Sequence, residues 1–298
     1  MPAIQQELPF DDLPEVPTSA PWCQRWRERA HSWRHVSEGG FDARHYEVEP
    51  ISEKDAEAFV RTHHYSASYP AAVRRFGLYD VSAGERRLSG VAVFGVPVNQ
   101  AVLTKALPDL APVTEALECS RFVLLDECPG NSESWFLARC HTELLAAGVR
   151  GVVSFADPVP RRTASGNLIM PGHCGRIYQA TNGIYAGRAT ARTLKVLPDG
   201  TVLNDRAAQK VRRQEQGHQY VESRLIALGA AVPRAGCDPA VWLREALEAV
   251  GARAVRHRGC HRYVFPLGRN RRQRARIKIG FDARPAYPRR PDPEPAAR

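Results

Sequence analysis

Four clusters of side chains in this 298-residue chain have the types and spacing that chemistry needs, and three of them lie between Glu118 and Arg192. The first is His63-His64-Tyr65-Ser66, just past a helical pattern. Adjacent histidines cannot share a helix face, but at a helix end either one projects into a cleft as a base near neutral pH or a metal ligand. Helix capping and packing are the alternative use. The second cluster, Glu118 to Asp126, brings Glu118, Ser120 and Arg121 into an otherwise apolar strand. That costs free energy unless these groups line a site or meet partners. The third, Pro129 to Ser134, opens a predicted helix and holds Asn131, Ser132 and Ser134. Backbone amides at such a start seat an anion, a property that most helix starts share. The fourth joins Ser154-Phe155-Ala156-Asp157-Pro158 to the Gly-, Tyr- and Asn-rich run Gly172 to Gly187, which includes Tyr178. Hydroxyls and a carboxylate at a strand end can polarise an amine or a carbonyl.

The elements that must carry these groups are legible in outline. Ser52 to His64 has a helical pattern, with Ser52 as cap and Ala56, Phe59 and Val60 on one face. Arg74 to Val81 and Leu88 to Val96 read as strands joined by a turn at Ala83-Gly84-Glu85. Glu118 to Leu125 is a strand, Asn131 to Leu145 a helix, and Val149 to Phe155 a buried strand, followed by an irregular stretch through Gly187. Trp22 to Trp33 has the spacing of a short basic helix. Leu194 to Val202 reads as a hairpin, and Asp205 to Leu228 and Asp238 to Val250 as helices. This order predicts an α/β (α+β) fold with a mixed central sheet covered by helices and a site at strand ends.

Lys and Arg exceed Asp and Glu by 42 to 32, a formal charge of +10 that favours polyanions through counterion release. The most basic stretch runs from Arg253 to Arg276 and includes Arg269, Arg271, Arg272, Arg274 and Arg276. It reads as a phosphate-gripping surface, with a solvated strand and turn as the alternative; Tyr263 and Phe265 within it read as core. No apolar run approaches the ~20 residues that span a bilayer. The acidic, Pro-rich start is neither a secretory signal nor a transit peptide, and residues 1–20 read as a disordered tail. Within it, Gln5 to Phe10 resembles the peptide pattern that binds the bacterial sliding clamp, in which a Gln leads a Leu and a Phe. Seven scattered cysteines without a CxxC pair suit free thiols in a reducing cytoplasm.

The run SRFVLLDECPGNSESWFLARC (120–140), then SFADP (154–158) and GHCGRIYQATNGIYAGRA (172–189), resembles the Mom family of bacteriophage DNA adenine-modification proteins. HHYS (63–66), HRYVFPLG (261–268) and YPRR (287–290) resemble it too, so the likeness spans most of residues 50–290. The resemblance implies a fold like that of GCN5-related N-acetyltransferases, with a basic C-terminal extension. It also implies conversion of adenine in duplex DNA to N6-(carbamoylmethyl)adenine, which shields phage DNA from restriction in the host cytoplasm. On this reading 21–50 is an N-terminal extension, 51–204 an acetyltransferase-like catalytic core and 205–298 a helical and basic C-terminal region.

The catalytic set expected is Ser154 and Asp157 on the amine, Tyr178 for proton transfer or the base edge, and His64 and Tyr65 at the cleft rim. Ser120, Arg121, Asn131, Ser132 and Ser134 are expected to hold the donor. One departure stands out: acetyltransferases carry a Gln/Arg-x-x-Gly-x-Gly/Ala loop for the coenzyme A pyrophosphate, where this chain has Glu127-Cys128-Pro129-Gly130-Asn131-Ser132. Moreover, the product joins N6 through a methylene and ends in an amide, which one acetyl transfer from acetyl-CoA does not yield. Either a glycine- or glycinamide-type donor is used, or a metal-assisted step follows, with iron the candidate metal. His63, His64, His173 and Cys174 are the candidate ligands, without a diagnostic spacing. The competing classes are an N-acetyltransferase for a small amine or protein, and a non-catalytic DNA-binding protein.

Overall fold

The computed structural model describes residues 22–281 and 285–289. The clamp-like peptide Gln5 to Phe10 lies outside the described residues, as does Arg290. In chain order, β1 (Trp22–Arg27) and β2 (Ala30–His35) are followed by β3 (Tyr46–Pro50), α1 (Glu53–His63), β4 (Ala72–Asp80) and β5 (Arg87–Gly95). Then come α2 (Ala101–Ala106), β6 (Ala116–Leu124), α3 (Ser132–Ala146), β7 (Gly151–Ala156), β8 (Arg161–Arg162) and β9 (Leu168–Met170). After α4 (Arg176–Ala180) and β10 (Ile184–Arg188) lie β11 (Arg192–Val196), β12 (Val202–Leu203), α5 (Asp205–Arg212) and α6 (Gln219–Ala227). The order ends with α7 (Pro239–Ala249), β13 (Arg253–His257), β14 (His261–Pro266) and α8 (Arg271–Ala275).

Seven strands form the central sheet in the order β10-β14-β7-β6-β5-β4-β3. All neighbours are antiparallel except β6 and β7, which run parallel. A parallel pair needs a long crossover, and α3 provides it. The result is the mixed sheet flanked by helices that the order of elements predicts. α3 lays Phe136, Leu137, Cys140 and Leu144 against Leu117, Val152, Tyr263 and Phe265 on one face. On the other face α1 sets Ala56, Phe59 and Val60 against Val91, Val93 and Val123, while α2 covers Val153 and Val264. Each fully buried side chain of this size contributes about 1.5–3 kcal/mol. Tyr263 and Phe265 are core, as read from the sequence.

Two features of this sheet build a site. The β6–β7 pairing ends at Cys119↔Ser154, while β6 continues along β5 as far as Leu124↔Gly90, so β6 and β7 part beyond Cys119. In the same place the β5–β6 register shifts between Val93↔Arg121 and Phe94↔Cys119, leaving Ser120 as an unpaired bulge residue.

Three sequence readings need correction. Trp22 to Trp33 is the β1–β2 hairpin rather than a helix, turning at Glu28 and Arg29 with φ of 48° and 67°. The Arg25 side chain decides this, because three of its four partners, Cys128, Pro129 and Glu133, lie more than 100 residues away. Asp205 to Leu228 is two helices, α5 and α6, broken by a turn at Gln214 (φ 50°) and Gly217 (φ 82°). The break lets Val211 and Val221 enter one small core with Leu203, Leu225, Trp242 and Leu243. The irregular stretch up to Gly187 contains β8, β9, α4 and the start of β10. The central sheet also draws on both sides of the 51–204 span, through β3 and β14. Residues 192–257, with the small sheet β12-β11-β13 and three helices, are an insertion between the neighbouring strands β10 and β14.

Candidate active site

The gap between β6 and β7 opens into a cavity of about 410 Å³. β6 lines it with Cys119, Ser120, Arg121, Phe122 and Leu124, and β7 with Phe155. His64 and Tyr65 come from the end of α1, His173 to Ala180 from the α4 segment, and Asn131, Glu133 and Ser134 from the start of α3. The β1–β2 hairpin closes one side with Trp22, Gln24, Trp26 and Trp33. Of the expected residues, His64, Tyr65, Ser120, Arg121, Asn131, Ser134 and Tyr178 therefore share one cavity. Ser132, Ser154 and Asp157 do not line it, and neither do Arg269, Arg271, Arg272, Arg274 and Arg276.

His64 is buried and packs on the Tyr65 ring, centroids 4.2 Å apart, with the Trp26 ring 6.4 Å away. Its Nδ1 accepts the Ser66 N–H at 3.2 Å and lies 2.9 Å from the Ser66 hydroxyl. Burial, then the charges of Arg121, His173 and Arg161, push its pKa well below the usual 6.5. His64 is thus a neutral imidazole with its proton on Nε2, a hydrogen-bond donor rather than an ammonium-like cation. Arg121 is held by Ser68, with Nε on the carbonyl at 2.9 Å and Nη2 on the hydroxyl at 2.7 Å, and Nη1 donates to Ser120 O at 2.6 Å. This fixes a cation beside the unpaired bulge.

Tyr178 sits on α4, packed on Tyr263 (5.3 Å) and edge-on to Phe265 (6.1 Å). Burial raises its pKa well above 10, so the phenol stays neutral. Its hydroxyl has no hydrogen-bond partner among the described residues. Gly175 opens α4 at φ 77°, and a Cβ there would meet the Tyr263 ring at 2.6 Å and the Tyr178 ring at 2.9 Å. Gln179 Nε2 ties the segment together by donating to Tyr263 Oη (2.9 Å), Cys174 O (3.2 Å) and Pro288 O (3.0 Å). Arg176 Nη2 donates to Arg289 O, and Tyr287 Oη to Gly183 O. The late YPR segment therefore straps α4 against the sheet.

Asp157 stands behind the cavity with its carboxylate fully engaged. Arg161 Nη2 donates to Oδ2 at 2.6 Å, while His257 Nε2 (2.9 Å) and the Val159 N–H (3.1 Å) donate to Oδ1. Burial alone would raise its pKa, but Arg161, His257 and Val159 together hold it below the usual carboxylate range. The Arg161 guanidinium also lies 5.4 Å from the Tyr65 ring centroid. Asp157 thus holds Arg161 beside Tyr65, and neither Asp157 nor Arg161 lines the cavity itself. Ser154 is wholly buried on β7, at the last pair before the strands part.

Sequence reasoning singled out Glu118 without giving it a role, and passed over Arg161, His257 and the three tryptophans. Glu118 is mostly buried on β6; burial, opposed by Arg121, pushes its pKa up to about 7. The signal was present in the sequence, since Glu118 interrupts an apolar strand, but its pKa depends on burial that only the fold sets.

The candidate metal ligands do not gather. His63 lies outside the cavity, accepting the Glu28 N–H on Nδ1, whereas His64, His173 and Cys174 line it. Among the described residues, Asp157, His257 and Cys260 form a group whose ligand atoms lie within 4.8 Å of one another. This group does not suit a metal as it stands. Both Asp157 oxygens are taken, His257 Nδ1 accepts the Gly259 N–H so that its Nε2 carries the proton, and burial pushes the Cys260 thiol up to about 12. Coenzyme A fits no better. The start of α3, where its pyrophosphate would sit, holds the Glu133 carboxylate ion-paired to the wholly buried Arg25.

No curated protein matches the chain. Among solved structures, a candidate phosphinothricin N-acetyltransferase is similar over 51% of this chain and 87% of its own, at 11% identity and a TM-score of 0.29. A tandem GNAT protein from the clavulanic acid biosynthesis pathway is similar over 76% of this chain and 75% of its own, at 9% identity and a TM-score of 0.33. The model of the Mom protein family matches residues 45–288, a span that holds every cavity-lining residue except those of the β1–β2 hairpin and Val36 just after it. The chain belongs to the Mom protein family.

Proposed function

We propose that this chain is a transferase that converts adenine in double-stranded DNA to N6-(carbamoylmethyl)adenine, protecting phage DNA from host restriction. The observation that carries the reading is the convergence of His64, Tyr65, Ser120, Arg121 and Tyr178, from separate segments of the family match, on one ring-walled cavity. Adenine N6 is a weak nucleophile, because its lone pair is delocalised into the ring, and in a duplex it is also paired. The base must therefore leave the stack. A cavity of about 410 Å³ has room for a purine and a small donor.

In this reading the extruded base lies among the Trp26, Tyr65 and Phe155 rings. The Tyr178 phenol and the His64 Nε2–H bond its edge. Forming the bond from N6 to the donor's methylene carbon breaks that carbon's bond to its leaving group, which departs with the electron pair, and N6 loses one proton. Glu118, next to the lining residue Cys119 on β6 though not itself in the lining, and pushed up to about 7 by burial, is the carboxylate assigned to receive it. The Arg121 guanidinium, held at the Ser120 bulge, stabilises negative charge on the donor's oxygen. Asp157 and Arg161 are positioning residues beneath Tyr65. Arg269, Arg271, Arg272, Arg274 and Arg276, all exposed on and around α8, draw the DNA backbone.

Nucleoside mass spectrometry of plasmid DNA from a bacterium expressing the chain tests the proposal. The expected result is a deoxyadenosine heavier by one carbamoylmethyl group. Unmodified nucleosides alone, from cells holding folded protein, would overturn it.

A further inference from the structure

We infer that the N-terminal hairpin sets the chemical class of the donor: a compact, phosphate-free molecule with a carbonyl or carboxylate oxygen, bound beneath Trp22, Trp26 and Trp33. The inference rests on the transfer reaction proposed above and concerns the same cavity. Two independent observations carry it.

The first is that the anion seat at the start of α3 is filled. A crossover helix that begins at a site offers free N–H groups and the positive end of its dipole to a phosphate. Here Glu133, in the first turn, supplies the negative charge itself and takes both ends of the Arg25 guanidinium. Arg25 also donates to Cys128 O (2.9 Å) and Pro129 O (2.6 Å), so the loop before α3 turns carbonyls toward this plug. Ser132 Oγ donates to Pro129 O and Ser134 Oγ to Asn131 O, leaving neither hydroxyl proton for a ligand. The end of the hairpin closes over the loop, since a Cβ on Gly130 would lie 3.2 Å from Val36 Cα and 3.3 Å from His35 O. A diphosphate would have to displace a buried, fully bonded ion pair.

The second observation is what the hairpin gives back. Gln24 Nε2 and Trp33 Nε1 are buried donors without a hydrogen-bond partner, and both residues line the cavity. Buried donors are rarely left unmade, so two of them on one wall call for an acceptor that arrives with the ligand. An amide or carboxylate oxygen meets that need, and the surrounding indole rings favour a small, flat, weakly charged molecule. The hairpin precedes the span matched by the family model, so the proposed donor contacts of Gln24 and Trp33 lie outside that match, on a cavity whose other walls lie within it.

Two measurements test the inference. In the first, purified full-length chain modifies plasmid DNA in a low-molecular-weight bacterial extract, before and after the extract is treated with phosphodiesterase and phosphatase. Modification is expected to survive the treatment within about twofold, with Gln24→Leu and Trp33→Phe each needing about tenfold more extract for the half-maximal rate at an unchanged maximum. Loss of modification on phosphatase treatment, or an unaltered extract requirement in both variants, would overturn it. In the second, thermal melting is followed with acetyl-CoA and with inorganic pyrophosphate. Neither is expected to shift the wild-type chain, whereas pyrophosphate stabilises Glu133→Gln, in which Arg25 has lost its counter-charge. A saturable shift of the wild type by either probe overturns the inference. Absence of modification in untreated extract would strike the proposed reaction, and the melting experiment would still decide the phosphate question.

Discussion

Tyr178 and Glu118 are the two side chains from which the proposed chemistry makes the sharpest demands. The Tyr178 hydroxyl makes no protein hydrogen bond among the described residues, so removing it leaves nothing stranded. Tyr178→Phe should keep its melting temperature within about 2 °C, a change of at most about 0.5 kcal/mol. It should lower modification by about 10²-fold or more, as read by nucleoside mass spectrometry, if the phenol takes part in proton transfer. Glu118 makes a pH prediction. Its pKa is raised from 4.5 to about 7, so the folded state binds a proton that the unfolded state releases. Its contribution to stability is therefore fully present below pH 4.5 and is lost as pH rises through about 7. The loss amounts to on the order of 3 kcal/mol at most, since each pH unit corresponds to about 1.4 kcal/mol. Melting curves from pH 4 to 8 should show Glu118→Gln gaining on the wild type across that window. Modification by the wild type should rise through pH 7, and that of Glu118→Gln should be low and flat.

At the scale of elements, α4 is five residues long and owes its position to its neighbours. Gly175 lets it start against Tyr263, Gln179 binds three carbonyl or hydroxyl oxygens, and Pro288 and Arg289 strap its outer side. Gly175→Ala combines a left-handed φ with a 2.6 Å approach to a buried ring, and should destabilise by about 1–3 kcal/mol. Because the same Cβ presses on Tyr178, modification should fall by more than the loss of folded protein measured by melting. A fall in proportion to folded protein would make α4 scaffolding only. The β1–β2 hairpin is the counterpart on the far wall. Its registry rests on Arg25, whose four acceptor residues are Gln24, Cys128, Pro129 and Glu133.

Over the whole molecule, charge and cavity are separated. The arginines of α8 and its flanks are exposed, and among the described residues none of the five makes an ion pair, whereas Arg121 in the cavity and Arg161 behind it are half-buried and bonded. Uncompensated exposed charge suits counterion release. Replacing Arg271, Arg272 and Arg274 with Gln should weaken duplex binding and reduce the slope of log K against log salt by about 0.9 for each phosphate no longer neutralised. An unchanged slope would assign these charges to solubility. The 192–257 insertion leaves the sheet order intact because β10 and β14 still pair across it, at Ile184↔Val264 and Tyr185↔Tyr263. No described helix is long and apolar enough to cross a membrane.

Local signals were enough wherever a residue's partners lie close in sequence. Ser52 accepts the Asp55 N–H and starts α1, Asp238 accepts the Ala240 N–H and starts α7, and the buried runs of β5, β6 and β7 are apolar as written. Such signals are enough for the mixed sheet, and the motif runs are enough for the family. Only the tertiary structure decided the hairpin, because Arg25 reaches Glu133 across 108 positions, and the break between α5 and α6, because Val211 and Val221 share a core. It also decided how the chemical groups divide. The parting of β6 and β7 exposes Ser120 and Arg121 to the cavity and leaves Ser154 behind it, while Arg161 and His257 turn Asp157 into a fixed support. Side-chain type says what a group can do, but burial and long-range partners determine whether it is free to do it.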